Sequence, residues 1–392
     1  MVESLGANIL WLFSLMIFMI SNPYEGPFLS NINNTSKVYM PVIRSFLTLS
    51  MVFLNILRYT NEAPDLNISL TQRYLEVRDM HRALLMCLGP TFSASIIIAL
   101  IISYLTRTYA LEYVHPTYTM PLMIVLMFTP MISSWVACRL TGDKLTSHGL
   151  MKVGKIEKGL KFIVTLMRIY VCALREKGYT LMSISYIYVL LLLNVLLHVI
   201  TFGKAPDIAT NLEEIIGTLM HASSQVVDVR SELMLMIIMS PIVGGLVNML
   251  PALGEEICWR GYLLDLIKDK VGSWLKASML IGIIWGLWHA PHIVLYGFNY
   301  GYQYPQMEAL EGAMLFTIFC MIFSVFLSWL RIRTDNVLLP AMAHGAYNGS
   351  AGLLMVSYWT GDTLTSGCVG VEALVVMVIL DIAVLAYDKM AR

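Results

Sequence analysis

Long apolar runs separated by shorter polar stretches organise this chain. Runs able to cross a bilayer occupy 5–21, 38–59, 83–106, 117–138, 181–202, 233–267, 275–298, 311–330, 337–356 and 369–387, since a hydrocarbon core of about 30 Å takes roughly 20 helical residues. Ten spans are predicted. None shows the alternating ten-residue pattern of a membrane barrel strand, and a lipid-exposed backbone must satisfy its own hydrogen bonds, so the spans are expected to be helices. The predicted fold class is all-α, a polytopic transmembrane helix bundle. The run 233–267 would be ~52 Å long if straight, and Pro241, Gly244, Gly245, Pro251 and Gly254 predict a break within it. Segment 159–174 is shorter than a span and carries Lys161 and Arg168, which suits a helix lying along the cytosolic interface. The residues around 211–220 are expected to do the same on the far side.

Composition agrees with a membrane protein. Hydrophobic residues make up 57% of the chain and charged residues 13%, with a mean hydropathy of +0.70. This excludes soluble globular, disordered and coiled-coil classes. Lys+Arg and Asp+Glu balance at 26 each, so nothing points to a nucleic-acid partner. The six cysteines are scattered and form no CxxC pair, which reads as small core residues. The apolar stretch 9–20 has Glu3 before it and no Lys or Arg, and is read as a first span rather than a cleaved signal peptide. With ten spans, the face holding both termini collects nineteen Lys and Arg, against four on the other face (Lys37, Arg107, Lys204, Arg230). The positive-inside rule then puts both termini in the cytosol.

Ionisable groups within spans are costly, about 2.5 to 3.5 kcal/mol at a helix centre on insertion scales, so a cluster of them marks a site. Segment 251–262, PALGEEICWRGY, places Glu255, Glu256 and Arg260 in otherwise apolar or small surroundings. On a helix Glu256 faces Arg260 at i,i+4, while Glu255 points about 100° away. Glu256 is therefore expected to be held ionised by its arginine, and Glu255, without a partner in its own helix, to be free to take a proton. The next run carries Trp285 and His289 at i,i+4, and a third carries His344 and Asn348 at the same spacing. Counted from the cytosolic ends, Glu255, His289 and Asn348 lie about 18 to 20 Å deep and His344 about 12 Å, so the groups are expected to share one layer.

These residues resemble the CAAX protease and bacteriocin-processing (CPBP) intramembrane endopeptidases, which include the type II CAAX prenyl proteases. The family pattern of EExxxR, FxxxH and HxxxN or HxxxD reads here as Glu255-Glu256-Ile257-Cys258-Trp259-Arg260, Trp285-Gly286-Leu287-Trp288-His289 and His344-Gly345-Ala346-Tyr347-Asn348. Trp285 stands where phenylalanine is usual. The resemblance covers roughly 233–392 and implies peptide-bond hydrolysis within the membrane. Glu255, Glu256, His289, His344 and Asn348 would be catalytic, with Arg260 and Trp285 as structural support. Glu255 would activate a water also held by His289, and His344 and Asn348 would donate to the oxyanion. The substrate would be a membrane-embedded or lipidated peptide, with a prenylated CAAX tail leading.

The expected organisation is a transmembrane extension of about five spans without an assigned role over 1–204, a polar connecting loop over 205–232, and a protease core over 233–392. No cofactor is required by this reading. A zinc-dependent version stays open, because two histidines and a glutamate can hold a catalytic metal, although HExxH is lacking. From another class, a transporter or silent scaffold fits ten spans and the broken run, but transporters should pair polar sites in both halves. The pair Glu213-Glu214 reads as a solvated face. His292 follows Pro291, expected to break the helical register, and reads as a packing residue. His198, Arg44, Glu372 and Asp381 read as local hydrogen-bonding residues or interface anchors.

Overall fold

Wherever the computed structural model describes the chain, the apolar runs are helical and no strand occurs. Described are residues 70–108, 116–150, 153, 162–203, 229–300, 306–357, 364 and 369–390. The helices are α1 (Leu70–Thr108), α2 (Pro116–Thr141), α3 (Phe162–Arg175), α4 (Lys177–Phe202), α5 (Val229–Val247), α6 (Met249–Glu256), α7 (Leu264–Val271), α8 (Trp274–Tyr296), α9 (Gln306–Thr334), α10 (Leu338–Ser357) and α11 (Val371–Met390). A π-helical segment, Ile257–Leu263, joins α6 to α7. The chain divides into two compact units, 1–85 with 270–272, and 86–269 with 273–392. The motif residues all fall in the second.

Five described helices are long and apolar enough to cross a membrane: Met80–Thr106, Thr119–Thr141, Lys177–Phe202, Trp274–Tyr296 and Ala309–Thr334. A sixth arises if Ile237–Val247 and Met249–Val271, bent by 52°, count as one span. The protein is thus an integral membrane protein, with five or six such spans among its described residues. The runs at 5–21 and 38–59, the segment 211–220, Glu213-Glu214 and Arg44 lie outside the described residues. Helices α10 and α11, 20 residues each, cover the last two expected runs. The bend falls at Asn248, between Gly245 and Pro251, inside the stretch whose glycines and prolines predicted it. Helix α3 has 14 residues, about 21 Å, and exposes Ile163, Val164, Met167, Val171 and Leu174.

Inside lipid there is no hydrophobic force to press helices together, so close packing of small residues does the work. On α5, a Cβ added to Gly244 would lie 2.8 Å from the Gly345 carbonyl and from Gly349 Cα of α10. Added to Gly282 and Gly286 of α8, it would lie 2.4 Å from Met321 Cα and Thr317 Cα of α9. These contacts are backbone to backbone and cannot relax by a rotamer change. They set the positions of the two histidine-bearing helices.

Side-chain hydrogen bonds fasten the remaining helices. The Ser95 hydroxyl of α1 donates to the Trp288 carbonyl at 2.5 Å, and the Trp288 indole donates to the Thr91 carbonyl at 3.1 Å. His198 of α4 pairs with Glu372 of α11 at 3.1 Å, and the Tyr186 hydroxyl donates to Asp381 at 3.1 Å. The reading of His198, Glu372 and Asp381 as local hydrogen-bonding residues matches these pairs. Pro291 does not break α8, which runs on to Tyr296. The proline forfeits one hydrogen bond to the preceding turn without ending the helix, and the Gly297 N–H caps the His292 and Ile293 carbonyls.

Gly286→Val and Gly349→Val should each destabilise the detergent-solubilised protein by about 1 to 3 kcal/mol, read as a lowered unfolding midpoint. Gly89→Ala, where an added Cβ meets nothing within 4 Å, should be neutral or mildly stabilising. Equal midpoints for all three would refute the close-contact account.

Candidate intramembrane active site

Helix α6 and the π-helical segment deliver the two acids and the arginine. Glu255 is 2% exposed, and Glu256 and Arg260 are fully buried. Arg260 Nη1 donates to Glu256 Oε1 at 2.9 Å, the i,i+4 pairing expected from their spacing. The segment that follows winds with π geometry, a local widening frequent at functional sites. Gly261 lies within it, and a Cβ there would meet the His148 carbonyl at 2.8 Å, so the chain is close-packed on both sides of Arg260.

Glu255 is not without a partner in its own helix, as the spacing argument expected. The Trp259 indole, one turn on, donates to Glu255 Oε2 at 3.3 Å, and the Trp285 indole of α8 donates to the same oxygen at 2.7 Å. Both donors fall on Oε2, and Oε1 is the oxygen left to take a proton. Trp285 also lies under the arginine, with Arg260 Cζ 4.4 Å from its ring centroid. The ring packs against the guanidinium, and its N–H adds a hydrogen bond that a phenylalanine could not make. Trp259 is the site residue that sequence reasoning missed. Its i+4 distance from Glu255 is the same signal that identified Arg260.

His289, one turn beyond Trp285, is buried. Its Nδ1 lies 3.0 Å from the Trp285 carbonyl. A carbonyl only accepts, so Nδ1 carries the proton and Nε2 of the neutral ring is an acceptor. Phe316 and Trp288 pack on the ring at 4.8 and 4.6 Å between centroids. His344 of α10 is buried too, and its Nδ1 meets Glu256 Oε1 at 2.9 Å. Glu256 therefore holds two groups from different helices. Trp285 touches His344 and His289 edge-on, at 5.1 and 5.9 Å between centroids. Three helices thus bring Glu255, Glu256, Arg260, Trp285, His289 and His344 into one connected cluster. Asn348, one turn along α10 from His344, is exposed and takes no part in the hydrogen bonds that link that cluster. His292 is fully buried and satisfied by the Tyr296 hydroxyl at 2.8 Å and the Ser95 hydroxyl at 3.1 Å, consistent with a packing role.

A catalytic zinc would need ligand atoms of Glu255, His289 and His344 to converge. Among the described residues, the only three His, Cys, Asp or Glu side chains with ligand atoms within 4.8 Å of one another lie elsewhere in the chain. In this arrangement the ligand atoms of Glu255, His289 and His344 are not gathered closely enough to fit a zinc ion.

The family model described as "Type II CAAX prenyl endopeptidase Rce1-like" matches residues 230–350, the stretch from α5 through all three motifs. The chain is also similar to CAAX prenyl protease 2 of Methanococcus maripaludis, 28% identical over 143 residues, which are 36% of this chain and 48% of that protein. The chain spans about half the length of this curated relative. A buried diacid and arginine, with a histidine from each of two further helices, fall inside the matched stretch, and over that stretch the chain is similar to the Rce1-like type II CAAX prenyl endopeptidases.

Proposed function

We propose that this protein is an intramembrane endopeptidase that hydrolyses peptide bonds of membrane-associated substrates through a water activated by Glu255. The observation that carries the reading is the convergence, away from solvent, of a carboxylate with one free oxygen and two histidines anchored by their Nδ1 atoms. Water bound between Glu255 Oε1 and His289 Nε2 gives its proton to Glu255 as its oxygen attacks the scissile carbonyl carbon. The tetrahedral oxyanion that forms accepts hydrogen bonds from Asn348 Nδ2 and from His344. Since His344 Nδ1 is given to Glu256, Nε2 can donate only from the protonated ring, which the ionised Glu256 supports. Glu255 then returns its proton to the leaving nitrogen as the C–N bond breaks. Glu256 does not touch the substrate in this scheme. It positions Arg260 and His344.

Similarity of residues 230–350 to the Rce1-like prenyl endopeptidases supports a prenylated C-terminal tail as substrate, its lipid chain in the bilayer and its scissile bond among these helices. Termini in the cytosol, as the Lys and Arg distribution favours, are part of the same proposal.

Purified protein in vesicles should cleave a prenylated CAAX peptide more efficiently than its unprenylated counterpart. Glu255→Ala should lose activity by about 10² to 10⁴-fold, and His289→Ala and His344→Ala by on the order of 10²-fold or more, with helicity unchanged. Full cleavage by Glu255→Ala would falsify the mechanism. Metal content, measured on the same preparations, should not differ between wild type and the two histidine variants. A stoichiometric zinc lost with His289 or His344 would instead establish a metalloprotease.

A further inference from the structure

A second cluster of reactive side chains lies apart from the acids, where α2 ends. Cys138 sits in the last turn of α2 and is 1% exposed. Gly142, at φ 78°, turns the chain back, and the Asp143 N–H donates to the Cys138 carbonyl at 2.8 Å. A 3₁₀ turn at Leu145–Ser147 then presents His148. The Cys138 thiol, an Asp143 carboxylate oxygen and a His148 ring nitrogen all lie within 4.8 Å of one another. All three come from one eleven-residue stretch, in the order C-x4-D-x4-H.

We propose that Cys138, Asp143 and His148 form a binding site for one divalent ion of the zinc type, with Asp265 orienting His148 from behind. The assignment does not depend on the proteolytic reading. A thiol, an imidazole and a carboxylate are the donor set that zinc takes, and three protein ligands leave a fourth position for water. Tetrahedral ligands about zinc stand roughly 3.4 Å apart, so only a small closure is needed. His148 Nδ1 is 3.0 Å from Asp265 Oδ2, and Nε2 is 2.8 Å from Asp143 Oδ2. That is the arrangement in which a carboxylate takes the far ring nitrogen of a metal-bound histidine and fixes its orientation. Asp265 is itself held by Lys268 at 2.7 Å and Arg331 at 3.1 Å, and the Tyr262 ring stands edge-on to His148 at 5.3 Å. The Asp143 side chain, 43% exposed, gives a path from solvent.

Without a metal, His148 pairs with the two aspartates and the buried Cys138 thiol hydrogen-bonds to its ring. That network is the ion's competitor. Burial disfavours charge on His148, but hydrogen bonds to Asp265, Cys138 and Asp143 outweigh it and raise its pKa to about 10. Metal binding displaces this proton and the thiol proton to solvent, so affinity should rise with pH. The ion would clip the segment after α2 onto the region around Tyr262 and Asp265, next to the π-helical turn that carries Arg260.

The test uses the full-length protein in detergent, stripped with a chelator and titrated with Co²⁺. One equivalent should give a thiolate-to-cobalt charge-transfer band in the near ultraviolet, displaced by Zn²⁺. Cys138→Ser should abolish that band, and Asp265→Asn should weaken binding about tenfold to a hundredfold, each with wild-type helicity by circular dichroism. A band that persists in Cys138→Ser, or its absence from the folded wild-type protein, overturns the site. Glu255, His289 and His344 supply no sulfur, so a cobalt ion bound among them lacks this band, and peptide cleavage is read separately.

Discussion

The constraint on which the site depends is the placement of a carboxylate in the apolar interior. Glu256 is fully buried, and an unpaired ionised acid there would cost several kcal/mol. Arg260 one turn away supplies charge, and His344, 88 residues further along the chain, supplies a second hydrogen bond. Each partner alone would leave much of the penalty standing. The chain therefore gains by bringing α10 against α6, and the apposed glycines of α5 and α10 let the backbones come close enough for His344 to reach. What looks like a catalytic geometry is also the way this bundle tolerates its own charges.

The neighbouring acid illustrates the complementary rule. Glu255 is equally enclosed but has two indole N–H groups in place of a cation of its own. Two adjacent residues with the same side chain are thus given different surroundings: one oxygen of Glu256 is tied between an arginine and a histidine, while one oxygen of Glu255 takes two indole N–H groups. Differences of this kind separate a supporting carboxylate from a reactive one.

Much of the fold and of the site is legible in the amino-acid sequence. Run length identifies the helices, because bilayer thickness leaves few alternatives, and the i,i+4 spacing from Glu256 to Arg260 is enough by itself to pair those two side chains. The three spaced motifs mark which helices converge. Other features are hidden for definable reasons. The π-helical turn depends on how Ile257–Leu263 packs, not on any residue preference visible along it. The bond from His344 to Glu256 joins helices distant in sequence, and periodicity is silent on such pairs. Trp259 has a readable spacing but resembles one more aromatic in an apolar run. Pro291 misleads because a proline removes one hydrogen bond from the preceding turn but does not by itself end a helix. For Asn348 the spacing predicts its place one turn from His344, but its exposure is not readable from spacing.

The pairing of α4 with α11 bears on how the chain is made. His198 is 174 residues ahead of Glu372, and Tyr186 is 195 ahead of Asp381. A ribosome therefore delivers the first member of each pair to the membrane well before the second exists. Until α11 emerges, α4 must keep its polar face hydrated or lodged against a temporary neighbour, because lipid offers it no hydrogen bonds. Assembly of this bundle accordingly waits on α11, which closes a seam left open since α4 entered the membrane.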